Sequence, residues 1–536
     1  MTVAHYVLHH PLLGEFRGQE HDSTVEFLGV KYGTLEGKFS PPILYHGDKS
    51  DIVDATKLGP ASPSPADGIE MEFSLIQQSL PRPHIEQSEK DCLNLNITAP
   101  KTISANLPVV VFVHGGGFSI GSNAWPEYNF RRLVDLSIEE GSPIIGININ
   151  YRLGPFGFLH SAELAKFGGG QNNGLHDQQI ALLWIQKYIA GFGGDPNNVT
   201  FVGESAGGVS GTHHLHSKVP LFTRLVSMGG TNLLIKPVPE IVNEQTYGQS
   251  LQLLNLQDLP AEGRVKALEA LPAEKILASL VPDMAFIPSS GGDLNLPTNN
   301  FEELYLGQSE GTTHPGKSWC KEIMIGDCQM DGSILLTMLG SIKPGIFQQF
   351  KDSIERSLDA DSAALILQAY GITETDPKED TLANILKFGN DINFLAPVLV
   401  YAHGWDGNAF MYFFNEPNTW DGPWKGYANH ILDVAYLFQN YNEALTEGQR
   451  QTAVIFGKDL IRFANGKAPW PVFDFAAEEL NARVYGSKDL EKVTARVDTT
   501  TGPNERTERR QTIFQLSQTI YLTKLSDAWD SFMIGN

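Results

Sequence analysis

One serine of this 536-residue chain combines the residue type, spacing and local context of an activated nucleophile. The segment Asn198–Gly208 begins with β-branched and aromatic residues typical of a strand, and it continues through a glycine-dense turn into the start of a helix. At its centre lies the pattern Gly203-x-Ser205-x-Gly207. Glycines two positions on either side of a serine remove side chains that would collide with the neighbouring backbone, so a sharp turn can expose the hydroxyl. The pattern predicts Ser205 as the nucleophile of a hydrolase.

The same five-residue pattern occurs a second time, at Gly307–Gly311, with Ser309 at its centre. It follows Phe301–Leu306, which has helical character, and it lies in a polar run. No strand leads into it and no apolar helix leads out, although the chemistry requires a strand, a turn and a helix in that order. We therefore expect Ser309 to be a surface loop residue.

A glycine-rich loop, His114–Phe118, precedes the serine and follows a predicted strand. Acyl transfer through a serine needs hydrogen-bond donors for the developing oxyanion, and consecutive glycines let backbone N–H groups turn inward. We predict an oxyanion hole made by Gly116, Gly117 and Ala206. A phosphate-binding interpretation of the loop fails, because the chain has neither of the usual glycine-rich nucleotide motifs in context.

The serine needs a general base, and His430 is the best placed of the 15 histidines. It follows the predicted strand Ala409–Phe414, late in the chain, which fits the order serine, acid, histidine. His213, His214 and His216 follow the serine closely and are expected to pack along its helix. Their spacing does not make a convincing metal site, because no acidic or cysteine partner is evident nearby.

The base in turn needs an orienting carboxylate, and one strand runs into a loop with two candidates. The segment Glu322–Gly332 contains Asp327 and Asp331. Either acid could serve from its position, and the spacing does not decide between them.

The elements around these residues alternate between strands and helices. Continuous apolar runs at Pro108–His114 and Pro143–Tyr151 are typical of strands buried on both faces, and Asn173–Ile185 has the spacing of an amphipathic helix. Residues 1–35 alternate as in a small antiparallel sheet, whereas residues 36–90 are expected to form a long ordered loop. This order predicts a mainly parallel sheet with helices on both faces, in a single domain over residues 1–536.

Composition limits the possible partners and location. A net charge of −23 argues against nucleic acid, which needs clustered Lys and Arg. The first residues lack the pattern of a signal peptide, no apolar stretch is long enough to span a membrane, and only three cysteines occur. We expect a cytoplasmic protein that acts on a small molecule without a metal or organic cofactor. The oligomeric state is not predicted.

Taken together, these motifs resemble the type-B carboxylesterases of the cholinesterase-like α/β-hydrolases. The resemblance covers nearly the whole chain. Five segments carry it. They are the serine turn at Gly203–Gly208, the glycine-rich loop at His114–Phe118, an N-Y-R-x-G stretch at Asn150–Gly154, an N-x-G-L-x-D-Q stretch at Asn172–Gln178 and an F-G-G-D-P turn at Phe192–Pro196.

The resemblance implies an α/β-hydrolase fold, and it also implies which of the two candidate acids orients the base. The acid of the family lies in a G-x-x-x-x-E-G loop, which maps onto Gly326–Gly332 and selects Asp331 over Asp327. The histidine motif of the family maps onto His430–Phe438. The arginine and aspartate of the two middle stretches form a structural ion pair in the family, which implies one between Arg152 and Asp177.

The chain departs from the family pattern at the acid and at the cysteines. Many members have glutamate where this chain has Asp331, which is one methylene shorter. The position that would pair with Cys92 holds Ser62, so the first family disulfide is expected to be absent. Cys320 and Cys328 do not match the second disulfide.

The implied reaction is hydrolysis of a carboxylic ester through Ser205, His430 and Asp331 and an acyl-enzyme intermediate. A lipase, an amidase or an acyltransferase would use the same machinery, and the fold also serves as a non-catalytic interaction module. The ester itself is not predicted. Five aromatic residues are candidates for the pocket wall, although each is individually more typical of packing: Phe118, Trp125, Trp420, Trp424 and Phe438.

Overall fold

The computed structural model describes residues 5–102, 106–281, 284–294, 296, 300–307, 314–339, 345–473, 481–486, 496–499 and 512–535. Ser309, the centre of the second serine motif, lies outside the described residues.

One large twisted sheet organises the described part of the chain, with the strand order β1-β2-β3-β7-β9-β8-β10-β11-β12-β13-β14-β15 and with β6 beside β2. The short strands β4 and β5 pair with each other separately. The strands are β1 His5–His10, β2 Gly14–Glu20, β3 Thr24–Lys31, β4 Gly33–Thr34, β5 Ile43–Leu44, β6 Ile52–Asp54, β7 Asn94–Pro100, β8 Leu107–Val113, β9 Ile145–Ile149, β10 Gly194–Glu204, β11 Arg224–Met228, β12 Glu322–Cys328, β13 Asn408–Phe414, β14 Asn481–Tyr485 and β15 Arg496–Thr499.

The centre of the sheet is parallel, as the alternation of strands and helices predicts. Strands β9, β8, β10, β11, β12, β13 and β14 all run in one direction. Antiparallel pairs continue the sheet at both ends, from β7 to β1 on one side and through β15 on the other. The predicted N-terminal antiparallel strands are therefore confirmed, and they join the central sheet through the pairing of β3 with β7.

Both faces of the sheet are covered, because the apolar side chains of its central strands belong to two separate cores. In β8, Val109, Val111 and Val113 belong to one hydrophobic core. The alternate residues Val110 and Phe112 belong to a second core on the opposite face. Period-two alternation places successive side chains on opposite faces, so a continuous apolar run is what a doubly covered strand requires.

The helices that supply these cores flank the sheet and its loops. Their bounds are Gly68–Ile76, Arg131–Glu139, Gly154–Phe158, Ala162–Lys166, Asn173–Tyr188, Ala206–His214, Glu240–Leu253, Ala261–Ala270, Ala273–Leu280, Phe301–Gly307, Ser333–Leu339, Ile346–Ser357, Ala360–Ala369, Lys378–Asn390, Ala396–Gly404, Leu432–Leu437, Glu447–Ala464 and Leu522–Ile534. None of the helices in the described ranges is long and apolar enough to cross a membrane.

The segment 36–90, predicted to be a long loop, contains the helix Gly68–Ile76. The sequence-based prediction missed this helix because its apolar pattern is short and the residues around it are rich in proline and serine. Its buried residues include Glu72, Phe73 and Ile76, so tertiary packing holds a helix that has no side-chain hydrogen bond at its N-cap.

The ion pair implied by the resemblance is present and buried. The guanidinium of Arg152 donates to both carboxylate oxygens of Asp177, from Nε and Nη2, at 2.8 Å each. Its Nη1 donates to the backbone carbonyls of Lys38 and Ser40. The pair therefore ties the loop after β9 to the helix Asn173–Tyr188 and to the segment after β4.

All three cysteines, Cys92, Cys320 and Cys328, are free and buried. Ser62, at the position of the missing cysteine, accepts a hydrogen bond from the amide of Leu153 at 3.1 Å. This hydrogen bond joins the segment of Ser62 to the loop after β9.

Candidate active site

Ser205 occupies a strained turn between β10 and the helix Ala206–His214. Its φ of 52° and ψ of −122° lie outside the regions that residues with a Cβ ordinarily adopt. A Cβ on Gly203 would lie 2.2 Å from the carbonyl oxygen of Gly207, and a Cβ on Gly207 would lie 2.0 Å from that of Val113. Both flanking glycines are therefore required by close backbone contacts, as the sequence pattern predicts.

The serine is held by its backbone and not by its side chain. Its amide donates to the carbonyl of Met228 at the end of β11, at 2.9 Å. Its hydroxyl makes no hydrogen bond to any of the described residues, and 8% of the residue is exposed. The turn thus fixes where the hydroxyl lies and leaves it available.

The glycine-rich loop after β8 lies directly against this turn. A Cβ on Gly115 would come within 2.8 Å of the Ser205 Cβ. Gly116 and Gly117 have φ values of 86° and 60°, in the region that favours glycine, and a Cβ on Gly117 would meet nothing within 4 Å. In the described part of the chain, the amides of Gly116, Gly117 and Ala206 donate to no protein acceptor.

His430 and Asp331 form a buried pair beside the turn. Nδ1 of His430 lies 2.7 Å from Oδ1 of Asp331, and we assign the proton between them to Nδ1 because the carboxylate can only accept. The other oxygen, Oδ2, accepts from the amide of Cys328 at 2.7 Å. The two loops are also joined by the His430 amide, which donates to the hydroxyl of Ser333 at 3.0 Å. Of the two acids that spacing left open, Asp331 is the one in contact with His430, and Asp327 lies within β12.

The second ring nitrogen of His430 lies near the residue that precedes the serine. Nε2 is 3.2 Å from Oε1 of Glu204, and no hydrogen bond joins the ring to the hydroxyl of Ser205. Hydrogen bonds of this kind are often loose in an enzyme without substrate and tighten in its complex. The structure therefore brings the serine turn, the histidine and Asp331 to one place, with the serine contact unformed.

A group of buried carboxyls behind the site is not evident from the sequence. It consists of Glu72, Glu127 and Glu204. Burial raises the pKa of Glu72 to about 7, although the hydroxyl of Tyr128 donates to it and partly offsets this rise. Burial also raises the pKa of Glu127 and of Glu204 well above the usual range, and the nearby Glu72 carboxyl raises both further. Only Glu204 lies in a motif, and no local pattern links it to the two acids on separate segments.

Of the three histidines predicted to pack along the helix after the serine, His213 and His214 are buried on it, whereas His216 lies in the turn beyond its end and is partly buried. Burial lowers the pKa of His213 and of His214 to about 3 each, and it lowers the pKa of His216 to about 2. His214 Nε2 lies 2.8 Å from the side-chain oxygen of Gln178. Within the described ranges, no group of three or more His, Cys, Asp or Glu side chains is arranged to hold a metal ion.

The aromatic candidates for a pocket wall mostly pack inside the molecule. Phe118, Trp125 and Phe438 are buried in the two cores. Trp420 donates from its indole to the carbonyl of Ala444, and Trp424 is partly buried. An open cleft of about 470 Å³ lies elsewhere, between residues 36–38 and the helix Ala261–Ala270, and none of the predicted site residues lines it.

A family model and similar known proteins point to the same family for this chain. The family model described as the carboxylesterase family matches residues 6–502. A para-nitrobenzyl esterase of Bacillus subtilis (strain 168) is 28% identical over 526 residues, which cover 94% of this chain and 97% of that protein. Lipase 3 of Yarrowia lipolytica is 28% identical over 476 residues, which cover 84% of this chain and 86% of the lipase.

The solved structure of a thermophilic pNB esterase has the same fold, with a TM-score of 0.74 at 24% identity over 95% of this chain and all of that one. The α/β-hydrolase fold predicted from the motifs is therefore confirmed. The chain belongs to the carboxylesterase family and is a carboxylic ester hydrolase.

Proposed function

We propose that the chain hydrolyses small carboxylic esters with Ser205 as nucleophile, His430 as general base and Asp331 as the acid that orients the base. The observation that carries this proposal is the 2.7 Å contact between Asp331 and His430, buried beside the strained turn of Ser205. A nucleophile, a base and an orienting group in this order are the parts that serine-dependent acyl transfer needs.

In the proposed first step, Nε2 of His430 removes the proton of the Ser205 hydroxyl as the oxygen attacks the ester carbonyl. Asp331 accepts the hydrogen bond from Nδ1, so it holds the tautomer in which Nε2 is free to take the proton, and it stabilises the imidazolium that forms. His430 then gives the proton to the departing alcohol. Water activated by the same nitrogen attacks the acyl-serine, and the proton returns to Ser205 when the acid leaves.

The oxyanion of each tetrahedral intermediate would be bound by the amides of Gly116, Gly117 and Ala206. Support comes from their lack of other acceptors and from the contact between the glycine loop and Ser205. Because these amides are held by the backbone before the reaction, they stabilise the charge without reorganising; the loss of one such donor typically costs about 2.7–4 kcal/mol of barrier.

Replacing Ser205 by alanine tests the nucleophile. The variant Ser205→Ala is expected to fold and to lose hydrolysis of short p-nitrophenyl esters, with turnover at most about 10⁻⁶ of that of the parent. Ser309→Ala is the matched control, because Ser309 lies in the same five-residue pattern and should retain both activity and labelling by a fluorophosphonate. Labelling that survives Ser205→Ala would refute the proposal.

A lipase activity on the same residues is the alternative, because the similar Yarrowia protein is named as a lipase. The two activities differ in how the rate responds to an interface. An esterase follows simple saturation with dissolved tributyrin, whereas a lipase gains rate sharply once the substrate exceeds its solubility. Measurement of the rate across that limit, with Ser205→Ala as the blank, separates them.

The cytoplasmic location stays a prediction. It is supported by the three free, buried cysteines, whereas the relatives include a protein named as a secreted lipase. Fractionation of the source cells, followed by detection of the protein in the medium and in the cytosol, would test it.

A further inference from the structure

A short π-helical turn interrupts a long helix next to the site. The helix Lys378–Asn390 continues into this turn, Asp391–Leu395, and then into the helix Ala396–Gly404. Pro397 explains the interruption: it has no N–H to give to the carbonyl four residues earlier, and its ring would collide with that carbonyl in a regular helix. A wider turn removes this conflict, and such turns are often found at functional sites.

The residue before the turn contacts the loop that carries the acid. The side-chain oxygen of Asn390 accepts from the amide of Gly332, which directly follows Asp331, at 2.7 Å. A Cβ on Gly332 would lie 2.8 Å from the Cβ of Asn390, so the loop rests directly on the helix. The amide nitrogen of Asn390 points the other way, towards a carboxylate oxygen of Asp391 at 3.3 Å. Asn390 is fully buried, and its orientation is therefore determined on both sides.

Inside the turn, an aromatic ring contacts the base. The ring of Phe394 lies 5.6 Å from that of His430, centre to centre, with an angle of 57° between the planes. Both residues are only 2% exposed, so the phenyl ring limits the space in which the imidazole can rotate. Residues four apart lie close to one face of a helix, which lets one element reach both the acid loop and the base.

We propose that this π-helical turn positions the acid–base pair, with Asn390 holding the acid loop at Gly332 and Phe394 restricting the His430 ring. The inference rests on the proposed function, and it assigns Asn390 and Phe394 as positioning residues that act through Asp331 and His430. Without the hydrogen bond from the Gly332 amide to Asn390, the loop that carries Asp331 can shift. The contact between Asp331 and Nδ1 of His430 then weakens, and His430 loses its preferred tautomer and orientation.

The test compares two asparagines of this segment that differ in what they hold. In Asn390→Ala, kcat for p-nitrophenyl acetate is expected to fall by about 10–100-fold, which is less than the roughly 10²–10⁴-fold that general acid–base catalysis contributes in full, while KM changes less than threefold. The acidic limb of the kcat/KM profile should move to lower pH, because a displaced Asp331 stabilises the imidazolium less. The control is Asn384→Ala: Asn384 lies in the helix Lys378–Asn390, outside the turn, and its amide donates to the carbonyl of Gly371 at 3.0 Å. We expect the control to keep kcat within about threefold, with an unchanged profile.

A double-mutant cycle shows whether Asn390 acts through the acid. If it does, Asn390→Ala has less than about a threefold effect on kcat once Asp331 is already asparagine, because residues that act as a unit are not additive. Equal losses in both backgrounds would overturn the inference, and so would a parent-like pH profile in Asn390→Ala.

Phe394→Leu keeps the proposal testable if Asn390→Ala does not fold. Leucine retains an apolar side chain but not the flat ring, so kcat is expected to fall by about 5–30-fold, again with the loss absent in the Asp331→Asn background. Parent-like kcat in Phe394→Leu would overturn the role of Phe394. Failure of the proposed function is a separate result, since Ser205→Ala would then remain active whatever Asn390→Ala does.

Discussion

Replacement of His213 by glutamine is expected to reduce the sensitivity of the protein to mild acid. His213 lies on the helix that begins directly after Ser205, and it is 1% exposed. Burial lowers its pKa from 6.5 to about 3, because the charged imidazolium loses its hydration in the interior. The folded state therefore keeps this side chain neutral at pH values at which the unfolded chain already binds a proton.

The sign and size of the effect follow from this difference. Between pH 6.5 and about 3 the unfolded state binds the additional proton, so stability is fully present above pH 6.5 and is lost as the pH falls. At pH 5 the loss from His213 is about 2 kcal/mol, at 1.36 kcal/mol per pH unit. His214 and His216 add losses in the same direction, for the same reason.

Equilibrium urea unfolding at pH 7 and pH 5, followed by tryptophan fluorescence at constant ionic strength, measures the effect. The parent should lose about 2 kcal/mol more than His213→Gln between the two pH values. Comparison of each protein with itself removes any pH-independent cost of the substitution. Identical losses for the two proteins would show that His213 is not kept neutral by burial.

Three further predictions concern the acid, the buried carboxyls and the turn. Asp331→Asn should lower kcat by about 10⁴-fold, as expected when the base is held in the wrong tautomer, whereas Asp327→Asn should lower it less than tenfold; the reverse order would move the role to Asp327. As the pH rises from 4.5 to 8, the free energy of unfolding of the parent should fall by about 3 kcal/mol more than that of Glu72→Gln. The reason is that burial raises the pKa of Glu72 to about 7, so ionisation of this side chain costs more in the folded than in the unfolded state; an equal fall in both proteins would contradict the prediction. Gly207→Ala should abolish soluble, active enzyme because its methyl group would lie 2.0 Å from a carbonyl oxygen, while Gly248→Ala, which meets nothing within 4 Å, should be tolerated in an activity and melting assay.

The parts of the fold that local patterns predict are those in which the requirement is itself local. The strand β8 is apolar throughout because both of its faces are covered, and this appears in the sequence as an unbroken run. The turn at Ser205 needs glycines at 203 and 207 because two backbone segments pass within contact distance. In both cases, a few neighbouring residues carry the whole reason for the structure.

The parts that escape prediction depend on contacts between distant segments. Nothing near Glu72 shows that it will be buried beside Tyr128, 56 positions later. The choice of Asp331 over Asp327 depends on where a loop about 100 residues away places His430, and only the family resemblance supplied it. The strand β14 likewise lies outside the predicted elements, because its position beside β13 is set by the sheet and not by its own five residues.

The chain order of the site has a consequence for protein synthesis. The turn of Ser205, the proposed nucleophile, is synthesised about 225 residues before His430, the proposed base, which corresponds to about 10–45 s at translation rates of about 5–20 residues per second. The segment that carries Asn390 needs a still later partner, because the ring of Trp529 packs on Gly389. With the proposed roles, a nascent chain therefore carries Ser205 without its base until His430 and Trp529 have been synthesised and have packed.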